Sequence, residues 1–271
     1  REVTMANQNQ ATTSGIENHL ELVQNQFRRQ AEAYVAVPIV TDPDFLSYIV
    51  SISGVRKSDR VIDIASGPGF VAMAFAPHCA EVIGVDATDR FVARANAEAS
   101  RRRLDNVSFT LGDVERMALA DESFDVAVCR FAFHHFPRPA GVLTEIRRVV
   151  RAGGAVVVVD MLASEDAAKA EYHNRVERLC DPSHARAIPA SEFERMFADL
   201  RFAVIYKQTV KSSYSIDEWI AHGAPAPEQA AQIHELMAAS LAEDRSGLDV
   251  RAVNGVMHFS HTGASYVLRK R

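Results

Sequence analysis

The feature that most constrains this chain is Val61-Ile62-Asp63-Ile64-Ala65-Ser66-Gly67-Pro68-Gly69-Phe70. A β-branched run closes on an acid. A loop of small residues follows, and then an Ala-rich segment of helix-forming composition. That order spells strand, tight turn, helix. Glycines let the backbone approach a ligand closely and adopt conformations that a Cβ forbids. A helix N-terminus adds unpaired N–H groups pointing at whatever lies there. The segment reads as a cradle for a nucleotide-type cofactor.

The same alternation runs on. Strands are expected at Arg60–Ile64, Glu81–Asp86, Val107–Leu111, 124–129 and 155–159. Helices are expected at Phe70–Phe75, from a Thr88 cap to about Arg102, and over 139–150, where Gly153-Gly154 acts as the stop. Strands alternating with helices make βαβ units, hence an α/β fold with a parallel sheet and helices on both faces. A helix over 16–36 comes first, with Leu20, Val23, Phe27, Ala31 and Tyr34 spaced along it, and Pro43 opens a short helix over 44–51. After Asp160 the pattern changes. A helix over 165–179, a second one opened by the capping pair Ser191 and Glu194, and a strand over 202–210 are expected. A helix carrying Trp219 then starts at the Ser215–Glu218 box, a further helix covers 228–242, and a last strand 264–269. One domain is expected over 14–271, made of cap helices (14–55), a core (56–160), and an insertion with the final strands (161–271). Residues 1–13 are polar and aperiodic and are expected to be disordered.

Composition narrows the function classes. The chain is 48% hydrophobic and 24% charged with a net charge of −5, an ordinary globular balance that offers nucleic acid no basic surface. Arg101-Arg102-Arg103 ends an expected helix, where cations suit the dipole. No apolar run approaches the roughly 18 residues needed to cross a bilayer. The three cysteines, Cys79, Cys129 and Cys180, lack metal-ligand spacing and read as reduced thiols of a cytoplasmic protein.

Gly67 to Ala72 also fits the permissive dinucleotide fingerprint G-x-G-x-x-A. Three carboxylates argue for a different cofactor. Asp63 ends the first strand, Asp86 the second, and Asp113 follows the third. An acid at the second strand's end accepts both ribose hydroxyls, and one after the third accepts from an exocyclic amine such as adenine N6. Three acids at neighbouring strand ends converge on one crevice and repel a pyrophosphate. S-adenosylmethionine carries a sulfonium, an ammonium and an adenosine but no phosphate. The plain alternative is that each Asp caps its own loop, and a nicotinamide oxidoreductase is the outside alternative.

These residues resemble class I S-adenosylmethionine-dependent methyltransferases, particularly the ubiquinone/menaquinone-biosynthesis-like group. The resemblance rests on Asp63-Ile64-Ala65-Ser66-Gly67-Pro68-Gly69, Gly84-Val85-Asp86, Gly112-Asp113-Val114-Glu115, Phe124-Asp125-Val126 and Val150-Arg151-Ala152-Gly153-Gly154. It covers about residues 20–160 and continues loosely to the end. Ala65 stands where that family often has Gly, and Ala152 where Pro is common. The resemblance implies a Rossmann-like, seven-stranded, mostly parallel sheet whose last strand is antiparallel. It implies that Asp86 holds the ribose and Asp113 the adenine edge. The Gly67–Gly69 loop would lie against the methionine part, with Asp63 near the ammonium and S-adenosylhomocysteine as product. Tyr34, Ala65, Ala87, Val114, Arg130 and Phe131 complete the expected cofactor site, Arg130 through its backbone rather than its charge.

The fourth strand runs into Arg130-Phe131-Ala132-Phe133-His134-His135-Phe136-Pro137, and the fifth ends in Asp160. As sheet neighbours they are expected to open on one edge, so that both histidines and the acid face a common pocket. Imidazole has the right pKa to take a hydroxyl proton, and a carboxylate orients it. His134 or His135 is the expected general base with Asp160 as partner, an arrangement similar to that of sugar and natural-product O-methyltransferases. The alternative is that His135 only hydrogen-bonds the cofactor or backbone while His134 packs. Phe27, Phe133, His184 and Trp219 are the expected acceptor-binding residues, and Phe27 with Tyr34 is also read as a lid, core packing being equally consistent. A metal site from His134, His135, His173 and His184 lacks ligand spacing, and no metal is expected. The expected activity is methyl transfer to a small, partly apolar acceptor, oxygen slightly ahead of carbon or nitrogen. Cyclisation or rearrangement on the same fold, and a cofactor sensor, are the other readings. The expected partner is this small molecule, without nucleic acid or membrane span and with room for a homodimer.

Overall fold

The computed structural model describes residues 19–29, 34–35 and 37–271. The expected disordered stretch 1–13 lies outside them. Where a helix over 16–36 was expected, 19–29 form helix α1 and residues 34–35 are helical. A short α2 (Pro38–Thr41) follows, opened by its proline, and then α3 (Pro43–Ser53), whose first turn is capped by the Asp42 carboxylate.

The core alternates as the sequence indicates: β1 (Arg60–Ile64), α4 (Phe70–Phe75), β2 (Glu81–Asp86), α5 (Asp89–Arg101), β3 (Val107–Leu111), β4 (Phe124–Arg130), α6 (Pro139–Val149) and β5 (Val150–Ala163). Alternate residues of the central strands face opposite layers. Val61, Val126, Val128 and Val157 pack with α3, α4 and α5, while Ile62, Ile64, Cys129 and Val158 pack with α6 and the later α8 (Ala190–Asp199). Burial on both faces explains why β4 reads as a continuous apolar run rather than an alternating one. At the end of α5, Arg101 and Arg102 both pair with Glu98.

The main sheet has the order β3-β2-β1-β4-β5-β9-β7, with β7 at Phe202–Ser215 and β9 at Val256–Lys270. Strands β1 to β5 are parallel, and β9 runs antiparallel to both β5 and β7. This is the seven-stranded Rossmann-like arrangement that the resemblance implies. Two short strands, β6 (Ile188–Pro189) on β5 and β8 (Arg251–Val253) on β9, raise the total among the described residues to nine. The order reverses at β1 and β4, and a crevice at the carboxyl ends of strands at such a switch point is where open α/β sheets bind ligands.

Several local expectations change. Gly153-Gly154 does not stop α6. Val150 is already extended and pairs with Phe124, and the glycines form the bulge before Ala155 pairs with Val126. A Cβ on Gly154 would lie 2.5 Å from Val150 Cγ1 and 2.9 Å from Asp125 O, so the bulge excludes a side chain there. Helix α8 begins at Ala190 behind Pro189, and the Ser191 hydroxyl, expected as its cap, donates to Glu165 at 2.5 Å instead. Thr88 stands at the N-cap of α5 without a side-chain cap bond. Ser215 does accept from the Glu218 N–H, at 3.1 Å.

Strands β7 and β9 run well beyond 202–210 and 264–269, because they pair with each other from Phe202↔Lys270 to Ser215↔His258. The added helices enter at two points rather than in one insertion. Helix α7 (Ala167–Cys180) follows β5, while α9 (Ile216–Gly223) and α10 (Pro227–Glu243) lie between β7 and β9. Together they build a separate apolar core around Val176, Ile216, Ile233, Met237 and Phe259. Among the described residues no helix is long and apolar enough to cross a membrane.

Candidate functional site: two adjoining cavities at the sheet edge

The glycine loop holds its shape through its own backbone and through Asp86. Ser66 N–H donates to Val85 O at 3.0 Å and Gly69 N–H to Ser66 O at 2.9 Å. The Asp86 carboxylate accepts from Gly67 N–H at 2.7 Å and from Thr88 N–H at 2.8 Å. Asp63 accepts from Ala72 N–H in the first turns of α4, at 3.0 Å. Gly67 has φ +52° and open space where its Cβ would be. Ala65 and Phe131, which follow β1 and β4, both take φ 54°, a left-handed conformation that an ordinary residue adopts at a cost of about 1 kcal/mol.

A cavity of about 120 Å³ opens beside this loop. Asp63, Asp86, Asp113 and Glu115 line it, and Arg130 is the one Lys or Arg among its described lining residues. Asp113 is exposed at the rim and accepts from Glu115 N–H at 2.9 Å. Burial raises the Asp63 carboxyl to about 7, with Arg130 and the Ala72 N–H opposing and Asp86 adding to the rise. Burial also raises Asp86, against the Thr88 and Gly67 hydrogen bonds. Asp86 and Asp113 cap their loops, as the plain alternative had it, and Asp63 holds the start of α4, yet all three also line the cavity. An acid-rich niche of this kind repels a diphosphate and fits a sulfonium, an ammonium and an uncharged adenosine. Tyr34, Ala65, Gly67, Ala87, Val114 and Phe131 line the same space. Helix α1 closes it: Phe27 packs edge-on against Tyr34 at 5.7 Å and His135 at 5.1 Å, and Gln24 donates to Ala87 O at 3.0 Å. The Arg130 guanidinium is buried, donates to Val40 O at 3.1 Å and acts electrostatically on Asp63, so its charge as well as its backbone bears on the niche.

A second cavity of about 560 Å³ shares Phe27, Tyr34, Phe131 and His135 with the first. His134 and Trp219 line it. His134 Nδ1 lies 2.6 Å from Asp160 Oδ1. A carboxylate only accepts, so Nδ1 carries the proton and Nε2 the lone pair. Burial pulls the His134 pKa down, but the charge and hydrogen bond of Asp160 outweigh it and leave the group above its ordinary value. His135 goes the other way: burial and the neighbouring His134 lower it to about 4, and its Nδ1–H donates to Ser183 O at 3.1 Å.

Four of the expected site residues lie elsewhere. Asp160 touches neither cavity; it is buried behind His134, where it also accepts from Phe133 N–H and Met161 N–H, each at 2.7 Å. Phe133 is fully buried against Phe136 and Phe193, since the turn after β4 points it into the sheet core. His184 is held inside the protein by Asn174 at 2.8 Å. Gly69 lines neither cavity: its Cβ would strike the Phe109 ring at 2.5 Å, so it serves helix–sheet packing. Of the four histidines considered for a metal, His134 packs against His135 and His184 with ring centroids 4.2 and 5.6 Å away, but their ligand atoms do not form a set close enough for one ion. Among the described residues His173, Glu177 and His261 do form such a set, with ligand atoms within 4.8 Å. Glu177 and His261 line the larger cavity, and sequence reasoning missed both. The only signal was the four-residue step from His173 to Glu177, which puts them on one helix face.

Comparison with known proteins agrees with this geometry. Residues 62–158 match the methyltransferase domain family described as Methyltransf_11. The chain is 35% identical over 209 residues to the uncharacterized methyltransferase YcgJ of Bacillus subtilis, covering 76% of this chain and 82% of that protein. The YcgJ crystal structure superposes with a TM-score of 0.77 over 83% of this chain and 97% of that one. A Bacillus halodurans protein assigned to the methyltransferases gives 0.79 at 28% identity, over 84% and 99%. Over 114 residues the chain is also 34% identical to the ubiquinone/menaquinone biosynthesis C-methyltransferase UbiE of Bdellovibrio bacteriovorus, covering 41% of this chain and 48% of that protein. With the sheet order, the glycine loop and the acid-lined niche, these matches establish the family: the chain belongs to the class I S-adenosylmethionine-dependent methyltransferases.

Proposed function

We propose that this enzyme methylates a small, partly apolar acceptor in the cytoplasm, and that the methylated atom is a hydroxyl oxygen deprotonated by His134. The observation that carries this reading is the buried Asp160–His134 pair at the wall of the larger cavity. His134 Nε2 has no partner among the described residues and is not sealed inside the protein, so its lone pair is available to a hydroxyl in the cavity. Asp160 fixes the tautomer and stabilises the imidazolium that forms. When bound, S-adenosylmethionine supplies an electrophilic methyl group at its sulfonium. In this reading Asp86 accepts the ribose hydroxyls, Asp113 the adenine amine, and Asp63 sits by the ammonium. Phe27, Tyr34 and Phe131 at the junction exclude water and align the acceptor. His135 stays neutral and packs between the cavities rather than titrating.

Transfer to carbon or nitrogen by proximity would leave the Asp160–His134 pair without a task. The test is incubation with S-adenosylmethionine and a panel of hydroxylated small molecules, following S-adenosylhomocysteine and methylated product together. Equal amounts of the two are expected, with a loss of about 10²–10⁴-fold in His134→Ala. A rearranged acceptor with unconsumed cofactor would point to cyclisation instead. Methylation at an unchanged rate in His134→Ala would mean that proximity alone suffices.

A further inference from the structure

We infer that the acceptor carries a positively charged amine and that Glu177 binds it at the aromatic end of the larger cavity, an inference that rests on reading this cavity as the acceptor site. The described residues lining the cavity include three acids, Asp42, Glu177 and Asp181, and neither a lysine nor an arginine. The lining histidines are His134, His135, His222 and His261, so a carboxylate or phosphate ester would find no permanent counter-charge there. A cation would meet the acids.

Glu177 is the acid the fold has taken most trouble to place. It is buried on α7, and both neighbouring histidines use one of its oxygens: His261 Nε2 lies 2.7 Å from Oε1 and His173 Nε2 3.3 Å. Burial pushes the carboxyl up, but His261 and His173 more than offset this and hold it well below the usual range, so it stays an anion. Its second oxygen, Oε2, receives no donor from the described residues and is not sealed in the interior. That oxygen is open to accept from whatever group the cavity brings to it. The surroundings indicate which group. Trp219 and Tyr214 line the cavity there, with ring centroids 6.3 and 5.7 Å from that of His261. Aromatic faces beside a carboxylate are the recognition chemistry of an ammonium group.

A divalent metal is the competing occupant, since His173, Glu177 and His261 are a two-histidine, one-carboxylate set. Two details favour the amine. His261 and Glu177 are 2.7 Å apart in direct hydrogen bond, whereas two atoms bound to one tetrahedral zinc stand about 3.4 Å apart. His173 Nδ1 is buried without a partner, and a ligating histidine almost always gives its other nitrogen an outer hydrogen bond.

The chain has one tryptophan, so Trp219 reports on this cavity directly. Three hydroxyphenyl probes of nearly equal shape differ in charge at pH 7: tyramine (+1), tyrosol (0) and 4-hydroxyphenylacetate (−1). Each is titrated into the S-adenosylhomocysteine complex while Trp219 fluorescence is followed. Tyramine is expected to bind at least about tenfold tighter than tyrosol, with the phenylacetate weakest. In Glu177→Gln the preference for tyramine should vanish while S-adenosylhomocysteine affinity, measured by calorimetry, is unchanged. If that variant fails to bind S-adenosylhomocysteine and is judged misfolded, the ranking on the wild-type protein decides alone. Equal affinities, or the anion binding best, would overturn the amine and leave the cavity as acceptor site. No response to any probe at millimolar concentration would overturn both readings. Stoichiometric Zn²⁺ binding that displaces tyramine would overturn it in favour of a metal.

Discussion

His134 Nδ1 and Asp160 Oδ1 stand 2.6 Å apart because β4 ends at Arg130 while its neighbour β5 runs on through Asp160 to Ala163, further than the sequence indicated. Arg130 pairs with Val159, so Asp160 is the next residue on one strand and His134 lies four residues on from the other. The neutral imidazole is the working form, and Asp160 raises its pKa, so the base is lost at a higher pH than for a free histidine. The kcat/KM profile should therefore rise with pH along an acid limb centred above about 6.5. In Asp160→Asn the limb should move to lower pH while the plateau falls about 100-fold or more. A pH–rate profile of both proteins checks the direction.

Asp63 links cofactor affinity to pH. Its carboxyl, raised to about 7 by burial, is partly protonated in the empty niche at neutral pH. The ligand's ammonium favours the carboxylate, so S-adenosylhomocysteine affinity should rise with pH up to about 7–8 and then level off. Calorimetry in buffers of different ionisation enthalpy should show proton release near pH 7. Asp63→Asn should flatten the dependence. A pKa raised in the folded state means that the empty protein loses stability as pH rises from about 4 to 7, so at pH 8 this variant should melt higher. The gain should be on the order of a few kcal/mol.

Asp86 has two tasks that separate by substitution. Its carboxylate accepts from Gly67 and Thr88 while facing the cofactor cavity. Asp86→Asn keeps one acceptor oxygen, sets an NH2 against the other N–H and loses the charge, and should weaken S-adenosylhomocysteine by about 10–100-fold with a smaller loss of stability than Asp86→Ala. Asp86→Ala leaves two buried N–H groups without their acceptor and should also cost about 1–3 kcal/mol of stability. Calorimetry and thermal melts on both variants distinguish the effects.

Gly69 is conformational rather than catalytic. Its φ is +83° and its Cβ would lie 2.5 Å from Phe109 Cζ. Gly69→Ala should destabilise the protein by about 2–4 kcal/mol, read by urea unfolding. Shortening the obstacle in a Gly69→Ala, Phe109→Leu double variant should recover part of the steric share.

The cofactor half of the site was legible because its residues lie at strand ends, and the strands announce themselves by β-branched runs closing on Asp63 and Asp86. The acceptor half was not. Much of β7 is exposed and lacks an apolar alternation, so its extension to Ser215 left no pattern. Glu177 and His261 are 84 residues apart and meet only because α7 folds back against β9. Phe133 and His184 show the opposite failure. Their residue types suit a pocket, but the turn after β4 and the Asn174 contact turn them inward. Gly153-Gly154 carried a valid helix-stop signal that a bulge in β5 used instead.

The central claim is that His134 is a base held ready by Asp160, and long-range ¹H–¹⁵N NMR of the imidazole during a pH titration tests it without any acceptor. The expected result is a proton on Nδ1, a free Nε2 at high pH, and a pKa above the ordinary value of about 6.5 that falls in Asp160→Asn. A proton resident on Nε2, or a pKa unmoved by that substitution, would contradict it.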